Sequence, residues 1–226
     1  MVGFCIFAYQ EGIYMRNFDK NCLRLYAVTD RSWLGEETLY TQVEKALKGG
    51  ATMIQIREKE LDEVHFEQEA REIQQLCKTY KVPLIINDNV DLAKRINADG
   101  VHIGQSDMQL MTARQLLGDE KIIGVTAKTV QQAKDAEQAG ADYLGSGAVF
   151  GSSTKTDAKP MEHTLLQQIC ESVSIPVVAI GGITSNNVLQ LSGRGIAGIA
   201  VVSGIFASPD IEAETRNLLE LVNNIL

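Results

Sequence analysis

Eight short apolar runs, each followed by a longer amphipathic stretch, succeed one another from residue 23 to the end with no linker between them. They read LRLYAVT (23–29), TMIQIR (52–57), VPLIIN (82–87), GVHI (100–103), KIIGVT (121–126), DYLGSGAV (142–149), IPVVAIG (175–181) and GIAVVS (198–203). Runs of four to eight apolar residues with glycine or polar flanks are strand-like. The intervening segments 36–48, 61–79, 89–97, 109–117, 129–139, 161–173, 185–192 and 209–225 carry helical periodicity, and Asp62, Ser106, Thr129 and Ser185 stand where a first-turn cap belongs. Glycine marks most returns from helix to strand, in KGGAT, NADG, QAGAD and GRGIAG. Eight βα units of this length make an α/β chain that closes as a single (β/α)8 TIM barrel spanning 23–226, with 1–22 as an N-terminal extension. An open doubly wound sheet is the alternative.

A barrel places its chemistry where the strands end, so the strand ends are where polar residues should gather. After the second strand, Gln55, Arg57 and Lys59 alternate with Ile54 and Ile56. At strand period the three polar residues share one face, directed into the barrel mouth, while the isoleucines face the helices. An arginine can hold a phosphate through two parallel hydrogen bonds and a lysine can neutralise it as a mobile charge. The competing reading is a surface ion-pair ladder with Glu58 and Glu60.

The third strand ends in Asn87 and Asp88, and the fourth leads to Asp107. Neighbouring parallel strands bring such ends together, and two carboxylates with phosphate oxygens and water suit Mg²⁺. Helix capping is the structural alternative for each aspartate. His102, inside the fourth strand, reads as a core histidine satisfied by hydrogen bonds rather than a base. Thr126 closes the fifth strand. The segment GSGAVFGSSTKTDAKP then offers small hydroxyl residues, exposed amides and Lys155, a set that can wrap an anion. Loops AIGGIT and VVSGIF after the last two strands provide a backbone cup for a phosphate at Gly182 and Ser203, with glycine admitting close approach. Two anion centres thus face one mouth. One is cationic and metal-assisted, built from Arg57, Lys59, Asp88, Asp107 and Lys155; the other is a monophosphate cup. Together they suggest group transfer with diphosphate departing.

Composition narrows the setting. A net charge of −8 over 226 residues argues against a general nucleic-acid binder or an anionic-membrane protein. Cys5, Cys22, Cys77 and Cys170 lie far apart without metal-ligand spacing, as expected of reduced thiols in a cytoplasmic protein. The run VGFCIFAY is too short to span a bilayer. QEG at 10–12 is compatible with a purine-rich ribosome-binding site ahead of Met15, which points to residues 1–14 as translated leader. A homo-oligomer is compatible with all of this.

In order along the chain, LYAVTD, GGATMIQIREKE, INDNVDLAKRINADGVHIGQSDM, GADYLGSGAVFGSSTKTDA, IPVVAIGGI and GIAVVSGIF resemble the motifs of the thiamine phosphate synthase family. The resemblance covers everything from residue 23 onward. It implies coupling of 4-amino-2-methyl-5-hydroxymethylpyrimidine diphosphate to a 4-methyl-5-hydroxyethylthiazole phosphate, with release of diphosphate. Gln55, Arg57, Lys59, Asn87, Thr126 and Lys155 then match the pyrimidine diphosphate site, and Asp88 and Asp107 match the Mg²⁺ ligands. Ser152, Ser153, Thr154, Gly182, Val202 and Ser203 match the thiazole phosphate site. The implied mechanism is dissociative, so Arg57, Lys59, Thr126 and Lys155 would act by stabilising charge on the leaving group. Two departures stand out. Thr126, Ala127 and Lys128 replace a serine followed by a histidine-containing segment, and Gly151 and Ser152 replace a proline- and threonine-containing lid sequence. A thiazole tautomerase and a non-catalytic phosphate-binding barrel are the rival functions. The first has no use for a diphosphate cage, and the second should have lost part of it.

Overall fold

Eight parallel strands close on one another in sequence order, β1 pairing with both β2 and β8. The computed structural model describes residues 19–104, 107–151 and 160–226, without the side chains of 107–109. The leader proposed for residues 1–14 and the cap proposed at Ser106 lie outside them. The strands are β1 Leu25–Val28, β2 Met53–Ile56, β3 Leu84–Asn87, β4 Gly100–Ile103, β5 Ile122–Thr126, β6 Tyr143–Gly147, β7 Val177–Ile180 and β8 Gly198–Val201. Each occurs within an apolar run read from the sequence, most of them shortened by a residue or two at one or both ends.

The helices are α1 Leu39–Lys48, α2 Glu63–Tyr80, α3 Val90–Arg95, α4 Asp107–Leu117, α5 Val130–Gln138, α6 His163–Ser172, α7 Ser203–Phe206 and α8 Ile211–Asn223. The starts of α1, α2, α3, α5 and α8 are set by side chains that satisfy the first free N–H groups. Asp62 accepts from the amides of Val64 and His65 at 3.0 and 3.1 Å, and Thr129 accepts from Gln132 at 3.2 Å. Between β7 and β8 the expected α-helix over 185–192 is instead a 3₁₀ turn at Val188–Leu191, preceded by Asn187 rather than capped by Ser185. The four residues VLQL between SNN and SGRG are too few for a stable α-helix. The turn α7, not expected from sequence, begins directly where β8 stops.

Two apolar layers hold the barrel. Side chains at alternate strand positions, such as Ile54 and Ile56, pack outward against the helices. The others fill the interior, where Leu23, Tyr26, Val28, Met53, Ile85, Tyr143, Val178 and Ala200 form one buried cluster. Burial on both faces explains why the strands read as continuous apolar runs. No helix among the described residues is long and apolar enough to cross a membrane.

Candidate active site

The C-terminal ends of the strands surround a cavity of about 240 Å³. Gln55, Arg57, Lys59, Asn87, Asp88, Thr126, Gly182, Val202 and Ser203 all line it. The sequence-derived positions within the described residues, Asp107 excepted, therefore converge on one mouth. Ser152, Ser153, Thr154 and Lys155 lie outside the described residues, as does the Asp107 side chain.

Gln55 is the last inward-facing residue of β2, and its Nε2 donates to Tyr26 Oη at 2.5 Å. Tyr26 and Tyr143 share a hydrogen bond of 2.9 Å through their hydroxyls. Tyr143 Oη lies 3.1 Å from His102 Nδ1, and His102 Nε2 lies 3.1 Å from Thr126 Oγ1. A hydrogen-bonded chain thus crosses the barrel interior from one candidate site residue, Gln55, to another, Thr126. Glycines make room for it: a Cβ on Gly124 would lie 2.0 Å from the Tyr143 ring, and one on Gly145 would meet His102 at 3.1 Å. Burial pushes both tyrosine hydroxyls well above their usual range, so they stay protonated and remain donors. His102 has partners at both ring nitrogens, as a core histidine should, yet it also lines the cavity.

Beyond Ile56 the chain leaves β2, so Arg57 and Lys59 belong to the β2–α2 connection rather than to the strand. The Arg57 amide donates to Thr29 Oγ1 at 3.1 Å, and its Nη1 donates to Asp30 Oδ2 at 3.2 Å. Asp30, which also lines the mouth, was missed from sequence, although the same signal, a polar residue just past a strand, was there to be read. The ion-pair ladder does not form. Glu58 turns inward to Arg31, and Arg57 takes Asp30.

Asp88 follows β3 with a left-handed backbone, φ 59°. Its amide donates to the His102 carbonyl at 2.8 Å, and its Oδ2 accepts from Asn87 Nδ2 at 2.8 Å. Both contacts fix a carboxylate at the lip in a conformation that costs a non-glycine residue energy, as functional sites commonly do. Among the described residues, no group of three or more His, Cys, Asp or Glu side chains could by itself hold a metal ion. Asp88 at the lip and Asp107 at the start of α4 are the carboxylate residues that could hold Mg²⁺ if substrate phosphates completed its shell.

Across the mouth, Gly181 and Gly182 have φ of 103° and 66°. Asn187 braces this loop: its Nδ2 donates to the Gly182 carbonyl and its Oδ1 accepts from the Thr184 amide, both at 2.9 Å. The turn α7 starts beside it at Ser203, so backbone N–H groups after β7 and β8 meet in one corner, an arrangement that binds phosphate in many barrels. Lys128, one of the departures noted above, also reaches the cavity.

Comparison with known proteins identifies the family. Residues 25–205 match the family model described as thiamine monophosphate synthase. The chain is 48% identical over 208 residues to thiamine-phosphate synthase of Clostridium acetobutylicum, covering 92% of this chain and 97% of that protein. It is 46% identical over 208 residues to thiamine-phosphate synthase 2 of Streptococcus pneumoniae, with 92% and 99% covered. Among solved structures, thiamine phosphate pyrophosphorylase from Pyrococcus furiosus superposes with a TM-score of 0.84 at 37% identity, covering 92% of this chain and 98% of that one.

Proposed function

Because the chain belongs to the thiamine monophosphate synthase family, we propose that its barrel mouth holds two phosphorylated substrates facing each other. Its reaction is the transferase step of thiamine-phosphate synthesis. The pyrimidine diphosphate lies on the side of Gln55, Arg57, Lys59, Asn87 and Thr126, with Lys155 completing that set. The thiazole phosphate lies against Gly182, Val202 and Ser203, and Ser152, Ser153 and Thr154 are assigned to the same site. One observation carries this reading: cations and a lip carboxylate occupy one wall of a single cavity, and a glycine-rich amide corner occupies the other.

Arg57, Lys59 and Lys155 neutralise the diphosphate as its bond to the methylene carbon lengthens, and Thr126 donates to its oxygens. The 4-amino group of the pyrimidine releases electrons into the ring, and Gln55, held by Tyr26, orients that ring. The thiazole nitrogen then captures the methylene cation. No general base is required, in keeping with a mouth dominated by charge stabilisation. Asp88 and Asp107 would hold Mg²⁺, which supplies further neutralisation of the leaving group when bound.

Incubation of the purified protein with both substrates and Mg²⁺ should yield thiamine phosphate and diphosphate, and Lys155→Ala or Asp88→Ala should lose most of that yield. An absence of product from the unaltered protein would refute the assignment.

A further inference from the structure

The connection that carries Arg57 and Lys59 is organised from within by a carboxylate to which the mechanism above gives no role. Glu58 stands between the two cations, and its side chain is only 2% exposed. Its Oε1 accepts three consecutive backbone N–H groups, from Lys59 at 2.7 Å, Glu60 at 2.7 Å and Leu61 at 3.3 Å. Its Oε2 accepts from Arg31 Nε. The same guanidinium donates through Nη2 to Glu69 Oε2 on α2 at 2.5 Å. Asp30 and Arg31 therefore engage Arg57 and Glu58 as two adjacent ion pairs of opposite polarity, which fasten the β1 loop to the β2 loop.

A charge this well buried is a poor device for stability alone, since an apolar side chain of similar volume commonly serves as well. What an apolar residue cannot do is gather three successive amides on one oxygen. That arrangement fixes the backbone from Lys59 to Leu61, and with it the point from which the Lys59 side chain departs. Burial by itself would raise the Glu58 carboxyl, but the three amides and the Arg31 guanidinium together hold it below the usual range, so it is ionised at neutral pH.

We propose that Glu58 is a positioning residue for the diphosphate-binding cations: its carboxylate fixes the backbone that aims Lys59 into the mouth, and Arg31 neutralises that carboxylate so that it neither captures Lys59 nor repels the polyanion. This rests on the diphosphate reading of the mouth given above. The contribution reaches the substrate through Lys59, so it should vanish when Lys59 is absent.

A double-mutant cycle on the full-length protein tests this. Glu58→Gln should raise the KM for the pyrimidine diphosphate and the inhibition constant of inorganic diphosphate about tenfold, as expected for a displaced charged group. The KM for the thiazole phosphate should stay unchanged. In a Lys59→Ala background the same substitution should add nothing further. Additive losses, or equal rises in both KM values, would overturn the proposal. If Glu58→Gln does not yield folded protein, Arg31→Gln probes the same linkage and should raise the diphosphate inhibition constant selectively; no selective rise would overturn it. Unaltered protein that neither forms thiamine phosphate nor is inhibited by diphosphate would sink the functional reading, whereas active protein with an additive cycle would sink this inference alone.

Discussion

Arg57 Nη1 lies 3.2 Å from Asp30 Oδ2, and the two side chains are only 14% and 12% exposed inside the mouth. A cation assigned above to the proposed diphosphate site is thus already engaged by a carboxylate of the preceding loop. On the proposed reading of the mouth, an arriving diphosphate would have to share Arg57 with Asp30. Asp30→Asn keeps the shape and removes the competing charge. Inhibition by inorganic diphosphate should then tighten about three- to tenfold, the net scale of one ordinary hydrogen bond. Weaker inhibition would mean that Asp30 serves to orient Arg57 instead.

The interior chain makes a separate prediction. Tyr143→Phe removes the hydroxyl that joins Tyr26 to His102 and changes little in volume. Both neighbours lose a buried partner, a loss that typically costs about 1–3 kcal/mol, so urea unfolding should shift to a lower midpoint. Because the chain ends at Gln55 and Thr126, the KM for the pyrimidine diphosphate should also rise, while that for the thiazole phosphate should not. A loss of stability with both KM values intact would show that the chain serves only the core.

The opposite face of the barrel should respond through stability without an effect on binding. There Arg114 donates to the carbonyls of Gly118, Lys121 and Gly140 at 3.0, 2.6 and 3.1 Å and to Asp142 Oδ2 at 2.7 Å. Asp142 in turn accepts from the Ile123 amide at 2.7 Å. Removing one partner of so buried a pair leaves an uncompensated charge, at a cost of about 3–5 kcal/mol. Arg114→Met should lower the unfolding free energy by about that amount, measured by denaturant titration, and leave both KM values unchanged at 25 °C.

The architecture was legible because burial on both faces of parallel strands leaves apolar runs that cannot be mistaken for amphipathic surface. The rim was legible because Arg57, Lys59, Asn87, Asp88 and Thr126 each interrupt or end such a run. Asp30 obeys the same rule and was passed over beside the longer cationic column. Glu58 entered only through the competing reading, a surface ion-pair ladder, since its neighbours in sequence are cations. Its real partner, Arg31, lies 27 residues away and meets it only because β1 and β2 are adjacent. The chain from Gln55 to Thr126 was invisible for the same reason: Tyr26 and Tyr143 are 117 residues apart and come together across the barrel interior. At 185–192 the helical pattern was present but too short, and the tighter 3₁₀ turn won.

Acid titration separates the buried carboxylate from those around it. The Glu58 carboxyl is held below the ordinary glutamate value of about 4.3, so its ionisation favours the fold at any pH above that value, and the contribution is lost as pH falls through the lower folded value. The groups facing it are Arg31, which stays charged throughout, and Glu69, whose carboxyl burial pushes up and which acts in the opposite sense. Glu69 is common to the unaltered protein and to Glu58→Gln, so the comparison isolates Glu58. Urea midpoints of the two proteins, measured from pH 7 downward, should differ by a constant amount near neutrality and converge below about pH 4. Curves that stay parallel to the acid limit would mean that the Glu58 carboxyl is not stabilised as an anion by Arg31 and the three amides.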